Sequence, residues 1–141
     1  MMKTGLALVT KIEPILKEVI QIKEQQEHGK QELIESNKKF YAIYREVFKT
    51  ESDAEHFINF CNLVYSMHKG QLPPIHILIG LFKCMYPIIV PKEIKGEQGH
   101  GKPELRKVDD TFTVILRESF TEKIDAENHL QEATTIKSMK L

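Results

Sequence analysis

Gly96-Glu97-Gln98-Gly99-His100-Gly101-Lys102-Pro103 carries the GxxxxGK spacing of a phosphate-binding loop. That chemistry needs glycines whose backbone N–H groups wrap phosphate, a lysine, and a hydroxyl that holds Mg²⁺. Here Pro103 stands at the hydroxyl position and supplies no N–H to a following helix. Upstream the chain offers at best one short strand broken by prolines. The stretch reads as a flexible loop, and no nucleotide is expected there.

The six histidines are His28, His56, His68, His76, His100 and His129, and none pairs with another at i, i+4. No Cys-x-x-Cys is present. Cys61, His68, His76 and Cys84 fall on two consecutive expected helices, where tertiary contact could gather them around zinc. Structural zinc normally shows closer ligand spacing, so core thiols and ordinary imidazoles are the expectation. No flanking signature supports a Cys–His nucleophile pair, and buried thiols are usually inert. Glu51, Asp53 and Glu55, like Asp109 and Asp110, sit where helices are expected to begin, and capping explains them without catalysis. No catalytic residue, cofactor or metal site is therefore predicted. A zinc- or nucleotide-dependent activity is the exception these motifs leave.

Two patterns point to binding. Reading from Ile12 in three-four steps gives Ile12, Ile15, Val19, Ile22, Gln26, Gly29, Leu33, Ser36, Phe40, Ile43 and Val47, the register of a helical seam. Its apolar members, Ile12, Ile15, Val19, Ile22, Leu33, Phe40, Ile43 and Val47, are the candidate partner-binding residues. Its centre is weak, because Gln26, Gly29 and Ser36 make poor knobs. Lys38, Lys39, Tyr41, Arg45 and Lys49 form a basic stretch with aromatics that could meet phosphates and a base. Glu35 and Glu46 dilute that charge.

The elements that would position these residues read as helical. Residues 9–49 are expected to form an arm, either one long amphipathic helix or a hairpin turning at Gly29. Ser52 and Glu55 make a capping-box pattern that starts a helical core over 52–86. Within it, 73–86 is apolar on all sides and reads as a central helix. Residues 87–108 read as loop, 109–135 as a C-terminal helix and 136–141 as a frayed tail. The predicted fold is thus all-α, with four or five helices and the long N-terminal helix or hairpin packed on the central apolar helix. The alternative is α+β, with a short strand pair at 88–91 and 111–117, because 111–116 is β-branched and alternating. One domain covers 1–141, and no internal repeat is read from the chain.

Lys plus Arg and Asp plus Glu both number 20, so the net charge of +0 argues against a protein held on nucleic acid or anionic lipid by global charge. No apolar run reaches the length of a membrane span, and Leu6–Val9 is too short for a secretory signal. Cys61 and Cys84 lie in apolar segments, as reduced thiols do in a cytoplasm, or in a host cytoplasm if the gene is viral. Lysine, isoleucine and glutamate richness hints at a phage or other mobile element. The expected function is a small helical protein–protein interaction protein: an adaptor, regulator or assembly factor that self-associates through the N-terminal seam. The alternative is a nucleic-acid-binding regulator using 38–49.

Overall fold

The computed structural model describes residues 26–68 and 94–138. Their order is β1 (Gln26–His28), β2 (Glu32–Ser36), β3 (Lys39–Phe48), α1 (Glu51–His68), β4 (Gln98–His100), β5 (Glu104–Val108), β6 (Thr111–Phe120) and α2 (Lys123–Ser138). The six strands form one antiparallel sheet. Long β3 and β6 pair at its centre. Short β1 and β2 share the outer side of β3, and β4 and β5 share the outer side of β6.

This overturns the all-α expectation and its coiled-coil seam. β3 reads Lys-Phe-Tyr-Ala-Ile-Tyr-Arg-Glu-Val-Phe, rich in aromatic and β-branched residues that fit a pleated surface. A strand sends neighbours to opposite faces. Ala42, Tyr44 and Phe48 therefore join the main core, while Ile43 is buried outside it. Phe40 shares the core face of Ala42 and Tyr44, whereas Ile43 and Val47 share the other, so three-four spacing linked residues that the backbone separates. Alternation was hidden because both faces carry large side chains and a charged residue, Glu46, sits in the core row. Ile12, Ile15, Val19 and Ile22 lie outside the described residues, as does the expected central helix over 73–86.

Gly29 is not a helix cap. It lies between β1 and β2, where its N–H donates to the Arg45 carbonyl at 2.8 Å and a Cβ would come within 2.7 Å of Arg45 Cβ. The chain turns instead at Asn37 and Lys38, whose φ angles of 52° and 64° suit the two-residue hairpin turn that matches sheet twist. The helix expected from residue 52 is present as α1, but Thr50 rather than Ser52 caps it, its Oγ1 accepting the Asp53 N–H at 3.2 Å. Residues 94–108, expected as loop, contain β4 and β5. Residues 111–117, read first as helix with a strand as the alternative, are strand. Their partners are β3 and β5, and residues 88–91 lie outside the described set. Only the later part of the expected C-terminal helix is helical, as α2.

The chain also contains an internal repeat, contrary to the expectation from its sequence. Every element of the second half starts after its counterpart by the same interval, the one separating Gln26 from Gln98. β2 and β5 have the same burial pattern, and β3 and β6 differ only at their first residue. Counterparts pair across the centre. Tyr44 faces Leu116, its own equivalent, while Phe40 faces Phe120 and Phe48 faces Phe112. A pseudo-two-fold axis therefore passes between Tyr44 and Leu116. Both helices cover the same face of β3 and β6. There Phe57, Phe60, Val64 and Ala133 close the core over Ala42, Val114 and Leu116. Full burial of each Phe contributes roughly 1.5–3 kcal/mol.

Candidate functional site

Under the helices, each repeat builds a glutamate cluster from the same sequence positions. Gln-x-His-Gly-Lys-x-Glu-Leu occurs at 26–33 and 98–105, and Arg-Glu-x-Phe at 45–48 and 117–120. The strand pairing sets Gln26 opposite Phe48 and His28 opposite Glu46. The Glu46 carboxylate, fully buried, accepts from Gln26 Nε2 at 2.6 Å and lies 2.7 Å from His28 Nδ1. In the second repeat Gln98 Nε2 donates to Glu118 at 3.3 Å. A different third member completes that cluster: Tyr65, reaching across from α1, hydrogen-bonds Glu118 and stacks on His100 at 4.1 Å between ring centroids.

Burial pushes the Glu118 carboxyl up to about 8, although hydrogen bonds from Tyr65 and Gln98 pull the other way. At neutral pH it is therefore mostly a neutral acid rather than a charged base. Burial, helped by the Glu118 charge, also raises the Tyr65 phenol well above its ordinary range. Cys61 is raised by burial and then by Glu46 and Glu118. Phenol and thiol therefore stay protonated and poorly nucleophilic. In this state the clusters tie edge strands to central strands.

The opposite face of the sheet carries a second symmetric array. Arg45 lies 3.6 Å from Glu32 and donates to the Lys30 carbonyl at 2.9 Å. Its counterpart Arg117 meets Glu104 at 2.6 Å. Hydrogen bonds from Arg117 and Arg106 hold the Glu104 carboxyl below its ordinary value. Ile43 sits beside Arg117 and Ile115 beside Arg45 in the central register, and each isoleucine is 5% exposed.

The residues marked in the sequence are scattered across this frame. Leu33 and Phe40 pack against the core, while Ile43 and Val47 belong to the opposite face. Tyr41 and Arg45 share that opposite face. Lys38 and Lys39 mark one end of β3 and Lys49 follows the other, so the lysines are roughly 30 Å apart along the strand. They do not form one basic patch. The GxxxxGK segment is not a phosphate cradle: Gln98–His100 is a strand paired with β6, and a strand rather than a helix follows it. Gly96 lies against Thr121, leaving no room for a Cβ, and its N–H donates to Asp125 at 3.1 Å. Asp125 thus anchors the chain entering β4 to the first turn of α2. Of the imagined zinc ligands, Cys61 and His68 are on α1, while His76 and Cys84 lie outside the described residues. Among the described residues, no group of three or more His, Cys, Asp or Glu side chains could hold a metal ion.

The sequence reading missed Gln26, His28, Glu46, Tyr65, Gln98 and Glu118 as a set. Aligning the chain with itself would have exposed the repeated strings, though not the contribution of Tyr65. No helix among the described residues is long and apolar enough to cross a membrane. Comparison with family models, with curated proteins and with solved structures gives no match to this chain.

Proposed function

We propose that this chain is an interaction protein rather than an enzyme, and that it associates with its own kind through the edges of its sheet. The supporting observation is at β2 and β5. Among the described residues nothing pairs with the outer side of either strand. Each also presents a large exposed apolar side chain, Ile34 at 42% and Val108 at 51%. An edge strand with open backbone groups and an apolar residue is a template for another strand. The helical seam plays no part in this reading. The glutamate clusters support it indirectly, by fixing β1 and β4 on the central pair.

The nucleic-acid alternative has weaker support, because Arg45 is engaged by Glu32 and the lysines are dispersed. A cytoplasmic setting belongs to the proposal and is supported by Cys61, a free, buried thiol. Light scattering over a concentration series, at low and high salt, tests the reading. The expected result is a mass that rises with concentration and rises less at high salt. A constant monomer mass at every concentration would contradict it.

A further inference from the structure

The two edges are equivalent by symmetry but opposite in charge. β2 reads Glu-Leu-Ile-Glu-Ser and carries only acidic charge, at Glu32 and Glu35. β5 reads Glu-Leu-Arg-Lys-Val and carries Arg106 and Lys107, with Glu104 already bound by Arg117 and Arg106. Ile34 pairs with Tyr41 and Val108 with Thr111, so both exposed apolar side chains lie on the helix-free face.

We infer that a second copy of this chain is the occupant of each edge, with β2 of one molecule docking antiparallel on β5 of the next. This rests on the self-association proposed above and specifies its geometry. Placing Ile34 opposite Val108 keeps each side chain on its proper face. The same register sets Glu35 opposite Lys107 and Ser36 opposite Arg106. It also carries the Asp109–Asp110 tip towards Lys30, whose side chain is 82% exposed. One contact is unfavourable, since Glu32 faces Asp110, but Arg45 already offsets the Glu32 charge.

Like edges do not fit each other. Two β2 strands would bring their Glu35 side chains together and two β5 strands their Lys107 side chains, while Glu32 and Arg106 count for less because Arg45 and Glu104 already offset them. Opposite-charge cross-strand pairs stabilise and like pairs destabilise, so only unlike edges attract. Such a contact is head-to-tail. It leaves a free edge at each end and grows into an open chain unless the rotation between copies closes a ring. Five-residue edges make a small interface, so association is weak and concentration-dependent.

Charge reversal tests both the partner and the register by sedimentation velocity on the full chain. Glu35→Lys and Lys107→Glu change exposed side chains, and circular dichroism checks that each variant folds. Each variant alone sets like charges across the contact and is expected to weaken assembly about ten-fold. An equimolar mixture restores unlike pairs at every contact and is expected to assemble as the unmodified protein does. So is the double variant Glu35→Lys/Lys107→Glu. If the unmodified chain assembles but neither single variant weakens it, or the mixture fails to recover, the β2–β5 docking is wrong while self-association stands. If the unmodified chain stays monomeric at every concentration, both fall.

Discussion

Phe57 and His129 occupy the same position in the two repeats, yet one buries an apolar ring and the other a polar one. Phe57 packs on Phe48 at 5.3 Å between centroids, and His129 packs on the equivalent Phe120 at 5.1 Å. The polar version is accommodated because β3 supplies Tyr44, whose hydroxyl hydrogen-bonds the His129 ring nitrogen. The matching position on β6 is Leu116, which offers no such group. A buried polar side chain is thus tolerated where its partner came with it. The same division runs through the molecule. The strand frame, with its glutamines, glycines, arginines and glutamates, is shared by both repeats, while helix contacts and edge charges are not.

Exchanging the two residues should have the largest effect on stability. Phe57→His places an imidazole opposite Leu116 and is expected to cost about 2–4 kcal/mol in denaturant unfolding. Adding Leu116→Tyr should recover part of the loss. His129→Phe keeps an aromatic ring on Phe120 and loses the hydrogen bond with Tyr44, and is expected to cost less, at about 1–2 kcal/mol. Equal costs for Phe57→His and His129→Phe would show that the repeats differ less than their contacts imply.

The glutamate clusters give the next effect. Glu118 holds its proton up to about 8 in the fold, against an ordinary value of 4.5. Between those values the folded state binds more protons than the unfolded state, so this group's stabilising contribution falls as pH rises. It is fully present below the ordinary value and lost by the time pH passes the raised one. Glu118→Gln cannot ionise and should be more stable than the unmodified protein at pH 8, by about 1–3 kcal/mol. The gain should shrink towards pH 5. Thermal unfolding across that range checks this, and a gain that does not vary with pH would contradict the buried-acid assignment.

A smaller difference separates Gly29 from its counterpart Gly101. A Cβ at Gly29 would lie 2.7 Å from Arg45 Cβ and 3.1 Å from the Arg45 carbonyl oxygen, whereas at Gly101 the nearest atom is 3.7 Å away. Gly29→Ala must push β1 and β2 from β3 and is expected to lower stability by about 1–2 kcal/mol. Gly101→Ala should stay within about 0.5 kcal/mol of the unmodified protein. Paired urea titrations measure the contrast.

How legible was this fold? The α1 helix was readable because its start carries capping residues and Phe57, Phe60, Cys61 and Val64 keep one face. β3 and β6 were harder, since a central strand with large side chains on both faces mimics helical spacing over short windows. Glu46 and Glu118 in the core rows broke the apolar alternation that would have marked them. The hairpin signal is carried by Asn37 and Asp109, both at positive φ, rather than by Gly29. The repeat was the strongest clue in the chain. His-Gly-Lys, Arg-Glu and Asp-Ala-Glu each recur at one interval, and that interval alone pairs the clusters. Tyr65 could not have been read from sequence, because it crosses from one repeat to complete the site of the other.

Two equivalent repeats meet along β3 and β6 about an axis between Tyr44 and Leu116. Nuclear Overhauser contacts between backbone protons of these strands test that arrangement. Cross-strand contacts are expected at Tyr44 with Leu116, at Phe40 with Phe120 and at Phe48 with Phe112. Sequential helical contacts through 39–48 or 111–120, or a cross-strand register that does not centre on Tyr44 and Leu116, would contradict it.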